Sequence, residues 1–279
     1  MLPPIADRFV AGESAAEAIE HAESLNERNV KAILNLLGEH YHERDPADQD
    51  AEAYLRLVDD VVRSGVDGCI SVKPSQIGLD AGERVFEDNL ERIVDYAADH
   101  GVFTWVDMED HTTTDRTLDA YEELVTRHDG MAGIAIQSNL RRTADDLERL
   151  ADLPGKVRLV KGAYDEPASV AYTKKAEVNE RYETDLEYMF REFDDGAVAV
   201  GSHDPRMIDH AKRLHEEYGT DFEIQMLMGI RDDAQFELAG EYEVWQYVPY
   251  GSKWFSYFYR RAMERKENLL FAARAVLGR

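Results

Sequence analysis

The sequence predicts an α/β chain folded as a single (β/α)8 barrel, and three observations carry that expectation. Short apolar runs with strand character alternate with longer amphipathic segments rich in Ala, Glu, Asp and Arg. Eight such runs can be counted. Each is almost continuously apolar, as a strand must be when both faces of its sheet are covered by helices. With 279 residues and 44% hydrophobic content, the chain has the length for one complete barrel, although two modest domains would also fit.

Taken in order, the first run, Val30 to Gly38, is rich in Leu, Ile and Val and ends on a glycine. Gly68 to Lys73 is small and apolar until it closes on a lysine, and Val102 to Met108 adds aromatic bulk before Asp107. Met131 to Gln137 is apolar until it closes on glutamine, and Lys156 to Val160 opens on a lysine and carries Arg158 among apolar residues. Ala197 to Ser202, Phe222 to Met228 and Glu243 to Val248 complete the set, and a helical pattern follows every run. Helix starts are punctuated: Thr143 stands three residues before Asp146 in a capping pattern, and Asp204 precedes Pro205 at a first helical position. No Gly/Ser linker or abrupt composition shift divides the chain, so residues 1–279 are expected to form one domain. A doubly wound open sheet is the runner-up. It is weakened because Glu39-His40-Tyr41-His42 follows the first run instead of a glycine-rich phosphate turn, and no G-x-G-x-x-G occurs.

Composition narrows the function. A formal charge of −25, from 57 acidic against 32 basic residues, would repel a nucleic-acid backbone, so no nucleic-acid partner is expected. The basic residues are 23 Arg and 9 Lys, an acid-rich, lysine-poor balance that suits a halophilic protein in salty cytoplasm. Aromatic residues make up 10% of the chain, which argues against acid-rich disorder. Cys69 is a lone cysteine in an apolar run, so no intrachain disulfide can form and a reducing compartment is expected. The N-terminus does not read as a signal peptide, and no apolar run reaches the ~18 residues of a membrane span. A cytoplasmic location is expected, with peripheral contact to a membrane left open.

A barrel places chemistry at the C-terminal ends of its strands. Arg158-Leu159-Val160-Lys161-Gly162-Ala163-Tyr164 puts two cations in an apolar strand that turns through glycine into an aromatic. Alternation sets Arg158 and Val160 on one face, Leu159 and Lys161 on the other. Such cations need partners: either internal carboxylates such as Asp107 or Glu39, or a cofactor with phosphates or developing negative charge. Near the C-terminus, Tyr257, Arg260, Arg261 and Glu264 fall on one face of an expected helix, among Trp254, Phe255, Phe258 and Tyr259. The plain reading is a surface helix with an ion pair. The functional one is an amino-acid site, with two guanidinium groups gripping a carboxylate and Glu264 taking an ammonium. His203-Asp204 before Pro205 reads as a helix cap or as a pyrophosphate seat. A rival set of His40, His42, Asp107, Glu109, His111 and His203 would suit a metal-dependent hydrolase, except that strand five offers Lys161 and strand eight Tyr247 where further ligands would be wanted.

Together these motifs resemble the proline dehydrogenase family, from about the first strand to the final helix. The most specific pieces are Arg158-Leu-Val-Lys-Gly-Ala-Tyr164 and Tyr247-Val-Pro-Tyr-Gly251 followed by Tyr257, Arg260, Arg261 and Glu264. Ser71-Val-Lys73, Val106-Asp107, Gln137, Gly201-Ser-His203 and Glu223-Ile-Gln-Met-Leu227 support them. The resemblance implies a distorted TIM barrel carrying non-covalent FAD, and oxidation of L-proline to Δ1-pyrroline-5-carboxylate by hydride transfer to flavin N5. It implies that Arg260 and Arg261 clamp the substrate carboxylate, with Lys73, Asp107 and Glu264 in the polar network around it. Tyr164, Leu227, Tyr247 and Tyr257 would enclose the ring, and the aromatic Tyr247 favours proline over hydroxyproline. Gln137, Arg158, Val160, Lys161, Gly162, Ala163, Ser202, His203 and Asp204 match positions that hold the flavin. Asp165 and Ser202 depart from the family pattern, where a large aromatic and a threonine are frequent. A quinone is the implied electron acceptor, and a separate pyrroline-5-carboxylate dehydrogenase would take the product. A catalytically silent barrel is a third possibility, disfavoured because the clamp residues are all present.

Overall fold

A computed structural model describes residues 7–82 and 84–255 of the chain. Eight parallel strands pair in chain order and the last returns to the first, so the sheet closes into a barrel. They are β1 (Val30–Leu36), β2 (Gly68–Val72), β3 (Thr104–Val106), β4 (Ala132–Gln137), β5 (Lys156–Val160), β6 (Val198–Gly201), β7 (Phe222–Leu227) and β8 (Glu243–Tyr250). This is the predicted (β/α)8 architecture, and closure removes the open-sheet alternative. All eight apolar runs became strands, because a strand with helices outside and packed side chains inside has no wet face to encode.

Seven helices follow β1 to β7: α2 (Arg44–Ser64), α3 (Val85–Asp99), α4 (Thr114–Arg127), α5 (Thr143–Leu150), α6 (Lys175–Glu192), α7 (Pro205–Tyr218) and α8 (Asp232–Leu238). The helix expected after β8 lies outside the described residues, and with it Tyr257, Arg260, Arg261 and Glu264. One helix that the strand count did not anticipate, α1 (Ala15–Asn26), precedes β1. Its signal was local: the Ser14 hydroxyl accepts from the Glu17 N–H while the Glu17 carboxylate accepts from the Ser14 N–H, a reciprocal cap. The capping pattern at Thr143 is corrected. Thr143 is already inside α5, and its hydroxyl donates to the Gln137 carbonyl at 2.5 Å, tying the helix to the end of β4. Asp204 does cap α7, accepting from the Arg206 N–H at 3.1 Å with Pro205 at the first position.

Register sorts the side chains. Leu34, Ile70, Val106, Ile134, Leu159, Val200, Ile224 and Val248 belong to the large cluster between barrel and helices. On the inner face Ile33 lies beside Cys69 on one side and Tyr247 on the other, and with Trp105 and Ala199 they fill the middle of the barrel. Arg158, Glu223 and Gln225 are also buried, at 5%, 3% and 4% exposure, so this interior carries charge as well as bulk.

Candidate active site

The polar centre of the barrel mouth is Asp107, just beyond β3. Its Oδ1 accepts from the Ser71 hydroxyl at 2.8 Å and from the Arg158 guanidinium; its Oδ2 accepts from the Lys73 ammonium and from the Tyr247 hydroxyl at 2.7 Å. The Lys73 ammonium also reaches the Tyr247 hydroxyl at 3.4 Å. Three strands, β2, β5 and β8, therefore meet on a carboxylate carried at the end of a fourth, through residues that alternation turns inward near their ends, with β2 supplying both Ser71 and Lys73. Burial alone would raise the Asp107 carboxyl, but the adjacent Lys73 and Arg158 cations, with hydrogen bonds from Lys73 and Tyr247, hold it well below the ordinary carboxylate range. Burial would lower Lys73, yet Asp107 outweighs it and keeps the ammonium protonated.

Arg158 thus takes the internal-carboxylate partner that its buried position called for. Its guanidinium lies 4.9 Å from the Trp105 ring centroid and 5.7 Å from that of Tyr247, and it also donates to the Gln225 side-chain Oε1 at 3.0 Å. Val160 is half-buried above it on β5. Lys161 points the other way, as alternation required, and its ammonium donates to Asn179 and Asp204, both at 2.7 Å. Burial would raise Asp204, but Lys161 and the Arg206 N–H hold it below its ordinary value.

Gly162 turns the chain at φ +102°, a left-handed conformation that glycine adopts without strain, and a Cβ there would lie 2.1 Å from the Asn139 Oδ1. Ala163 and Tyr164 follow, both exposed. Gln137 is buried, and its amide donates to the Glu109 carbonyl at 2.7 Å. Ser202 is buried beyond β6 and its hydroxyl accepts from the Asp204 N–H at 3.2 Å. His203 accepts from the Leu227 N–H at 3.3 Å, which joins the ends of β6 and β7.

The rival metal set is not assembled. His40 stands 3.8 Å from Glu109, His111 pairs with Glu166, and His203 is engaged with β7. Among the described residues no group of three or more His, Cys, Asp or Glu side chains could hold a metal ion. Glu109 is occupied differently: its carboxylate accepts from the Ser75 N–H at 2.6 Å and hydroxyl at 2.8 Å, locking the loop after β2 to that after β3. Glu166 does the same between the loops after β3 and β5, where its carboxylate accepts the His111 N–H at 2.9 Å. The sequence offers Glu109 only as a member of the rival metal set and gives Glu166 no role, since only closure of the barrel brings these loops together.

The profile of a family described as proline dehydrogenase matches residues 18–274. The proline dehydrogenase of Deinococcus radiodurans is 38% identical over 282 residues, covering 98% of this chain and 90% of that protein. Proline dehydrogenase 1 of Bacillus subtilis is 34% identical over 276 residues, with 98% and 90% coverage. Among solved structures, proline utilization A from Bdellovibrio bacteriovorus, inactivated by N-propargylglycine, superposes with a TM-score of 0.86 at 23% identity, over 94% of this chain and 33% of that one. The homologue from Corynebacterium freiburgense gives 0.79 at 22% identity, over 94% and 31%. This chain spans about a third of those two proteins, and the likeness to them is one of fold.

Proposed function

The chain belongs to the proline dehydrogenase family, and from that premise we propose that it oxidises L-proline to Δ1-pyrroline-5-carboxylate with bound FAD. The observation that carries the reading is the convergence of Ser71, Lys73, Arg158 and Tyr247 on the buried Asp107 at the strand ends. A fixed, desolvated cluster with its charges locked is what orients a charged substrate against a planar acceptor.

The residues present fit a flavin. Gly201 keeps the inner face of β6 flat, since a Cβ there would meet Val160 Cγ1 at 2.6 Å and Arg158 Cγ at 3.2 Å. The Asn139 Oδ1 is buried beside Gly162 without a hydrogen-bond partner among the described residues. Gln137, Arg158, Ser202 and His203 supply donors around that floor, and Lys161, already bonded to Asn179 and Asp204, keeps one further N–H. Val160, Gly162, Ala163 and Asp204 complete the proposed cradle. When bound, FAD would supply the two-electron acceptor for the hydride that leaves proline C5.

The chain's own residues do the positioning. Asp107 holds Lys73 protonated and the Tyr247 hydroxyl in place, so the Tyr247 ring forms one fixed wall of the substrate space. Tyr164, Leu227 and Tyr257 are proposed as further walls, and Arg260 and Arg261 as the carboxylate clamp beside Glu264. The reduced enzyme would pass its electrons to a quinone, meeting the membrane peripherally from the cytoplasm. A separate dehydrogenase would consume the product. No helix among the described residues is long and apolar enough to cross a membrane. The acid surplus is the ground for proposing a high-salt setting.

The test is an absorption spectrum of the purified protein in high salt, before and after anaerobic addition of L-proline. Flavin bands that bleach on addition are the expected result. A colourless protein that takes up no added FAD overturns the reading.

A further inference from the structure

Below the site, a chain of polar groups runs down the inner face of the barrel from Arg158 to Lys156, and the proposed chemistry does not use its lower members directly. The Arg158 guanidinium donates to the Gln225 Oε1 at 3.0 Å, the Gln225 Nε2 donates to the Glu223 Oε1 at 2.5 Å, and the Lys156 ammonium donates to the Glu223 Oε2 at 2.5 Å. Glu223 and Gln225 are 3% and 4% exposed, so water cannot substitute for a lost partner. An amide has a donor end and an acceptor end, and either could face Arg158. The Glu223 carboxylate decides: being acceptor-only, it captures the amide nitrogen and turns the amide oxygen toward the guanidinium. Burial pushes the Glu223 carboxyl above its ordinary value, and Lys156, paired with it at the lower end, opposes that rise.

We propose that Glu223 and Gln225 are positioning residues for the reaction: they orient the Arg158 guanidinium, which in turn fixes Asp107 and the cation presented to the flavin edge. The inference rests on the reading of Arg158 as part of the flavin cradle. Its consequence is directional. If the amide turns or loses its oxygen, Arg158 keeps Asp107 but loses its second anchor and swings from its place, and the reduced, anionic flavin is less well stabilised.

The polarity of the chain supplies its own control. In the double variant Glu223→Gln/Gln225→Glu the order of groups is exchanged, yet every bond can re-form. Lys156 donates to the new amide oxygen, the amide nitrogen donates to the new carboxylate, and Arg158 donates to that carboxylate. The experiment compares wild type, Glu223→Gln, Gln225→Met and the exchange variant, reading kcat, KM for L-proline, flavin midpoint potential and melting temperature. Both single variants are expected to lose about tenfold in kcat, as for a lost hydrogen bond to a charged group, with KM little changed and the potential more negative. The exchange variant is expected to recover most of both losses. Single variants with wild-type kcat and potential overturn the inference, as does an exchange variant no better than the singles, which would make the chain merely structural. If the exchange variant does not fold, the potential of Gln225→Met decides, and an unshifted value overturns it. Wild-type protein that fails to bleach with proline instead refutes the underlying functional reading, so the two failures are distinguishable.

Discussion

Replacing Asp107 by Asn tests the centre of the site most sharply. The substitution keeps shape and removes the charge that neutralises Lys73 and Arg158, while turning an amide donor toward one of two cations already donating there. Breaking a buried pair in this way costs about 3–5 kcal/mol. The Lys73 side chain is 28% exposed and Arg158 6%, so water relieves one cation but not the other, and about 3 kcal/mol is the expected loss. At about 2–4 °C per kcal/mol for a domain of this size, the melting temperature should fall by about 6–12 °C at pH 7.5. The pH dependence has a definite sign. The Asp107 carboxyl is held below its ordinary value in the folded chain, so its contribution is present above that value and lost as pH falls toward the folded one. The gap between wild type and variant should therefore narrow below about pH 4. Thermal melts at both pH values check this, and the double variant Asp107→Asn/Lys73→Met should melt higher than the two single losses add up to. A single variant within about 2 °C of wild type at pH 7.5 would refute the idea that this carboxylate organises the barrel mouth.

Other outcomes follow from the same geometry. Burial pushes the Asp185 carboxyl up to about 6 against the opposing effects of Ser138 and Arg181. A raised carboxyl stabilises the fold below its unfolded value and loses that contribution as pH rises through 6, so Asp185→Asn should add about 2 kcal/mol at pH 8 and nothing at pH 4, read by denaturant titration. Gly162→Ala forces a left-handed φ on alanine and drives its Cβ into Asn139, so a loss of about 1–3 kcal/mol and weaker FAD retention on gel filtration are expected. Arg261→Met should raise KM for L-proline at least about tenfold while leaving the visible spectrum of the oxidised protein intact. Unchanged KM would remove Arg261 from the clamp.

The amino-acid sequence alone determined the elements whose cause is local. Eight apolar runs specify eight strands because a barrel strand is buried on both faces, and Asp204-Pro205 starts α7 through contacts spanning two residues. Local logic has limits even locally: the reciprocal cap of Ser14 and Glu17 is written within four residues, while Thr143 spends its hydroxyl on the Gln137 carbonyl of β4 and not on its own helix. Periodicity could say that Arg158 and Lys161 lie on opposite faces of one strand, and that each needs a partner, but not which face turns inward or which partner each finds. Asp107 is distant from Arg158 in sequence, as Gln225 is on the other side, and Glu109 and Glu166 latch loops that meet only at the mouth. Tertiary structure decided these pairings because strand alternation is a property of one segment, whereas the partner of an inward side chain depends on closure and register, which together set the strand ends facing each other across the barrel.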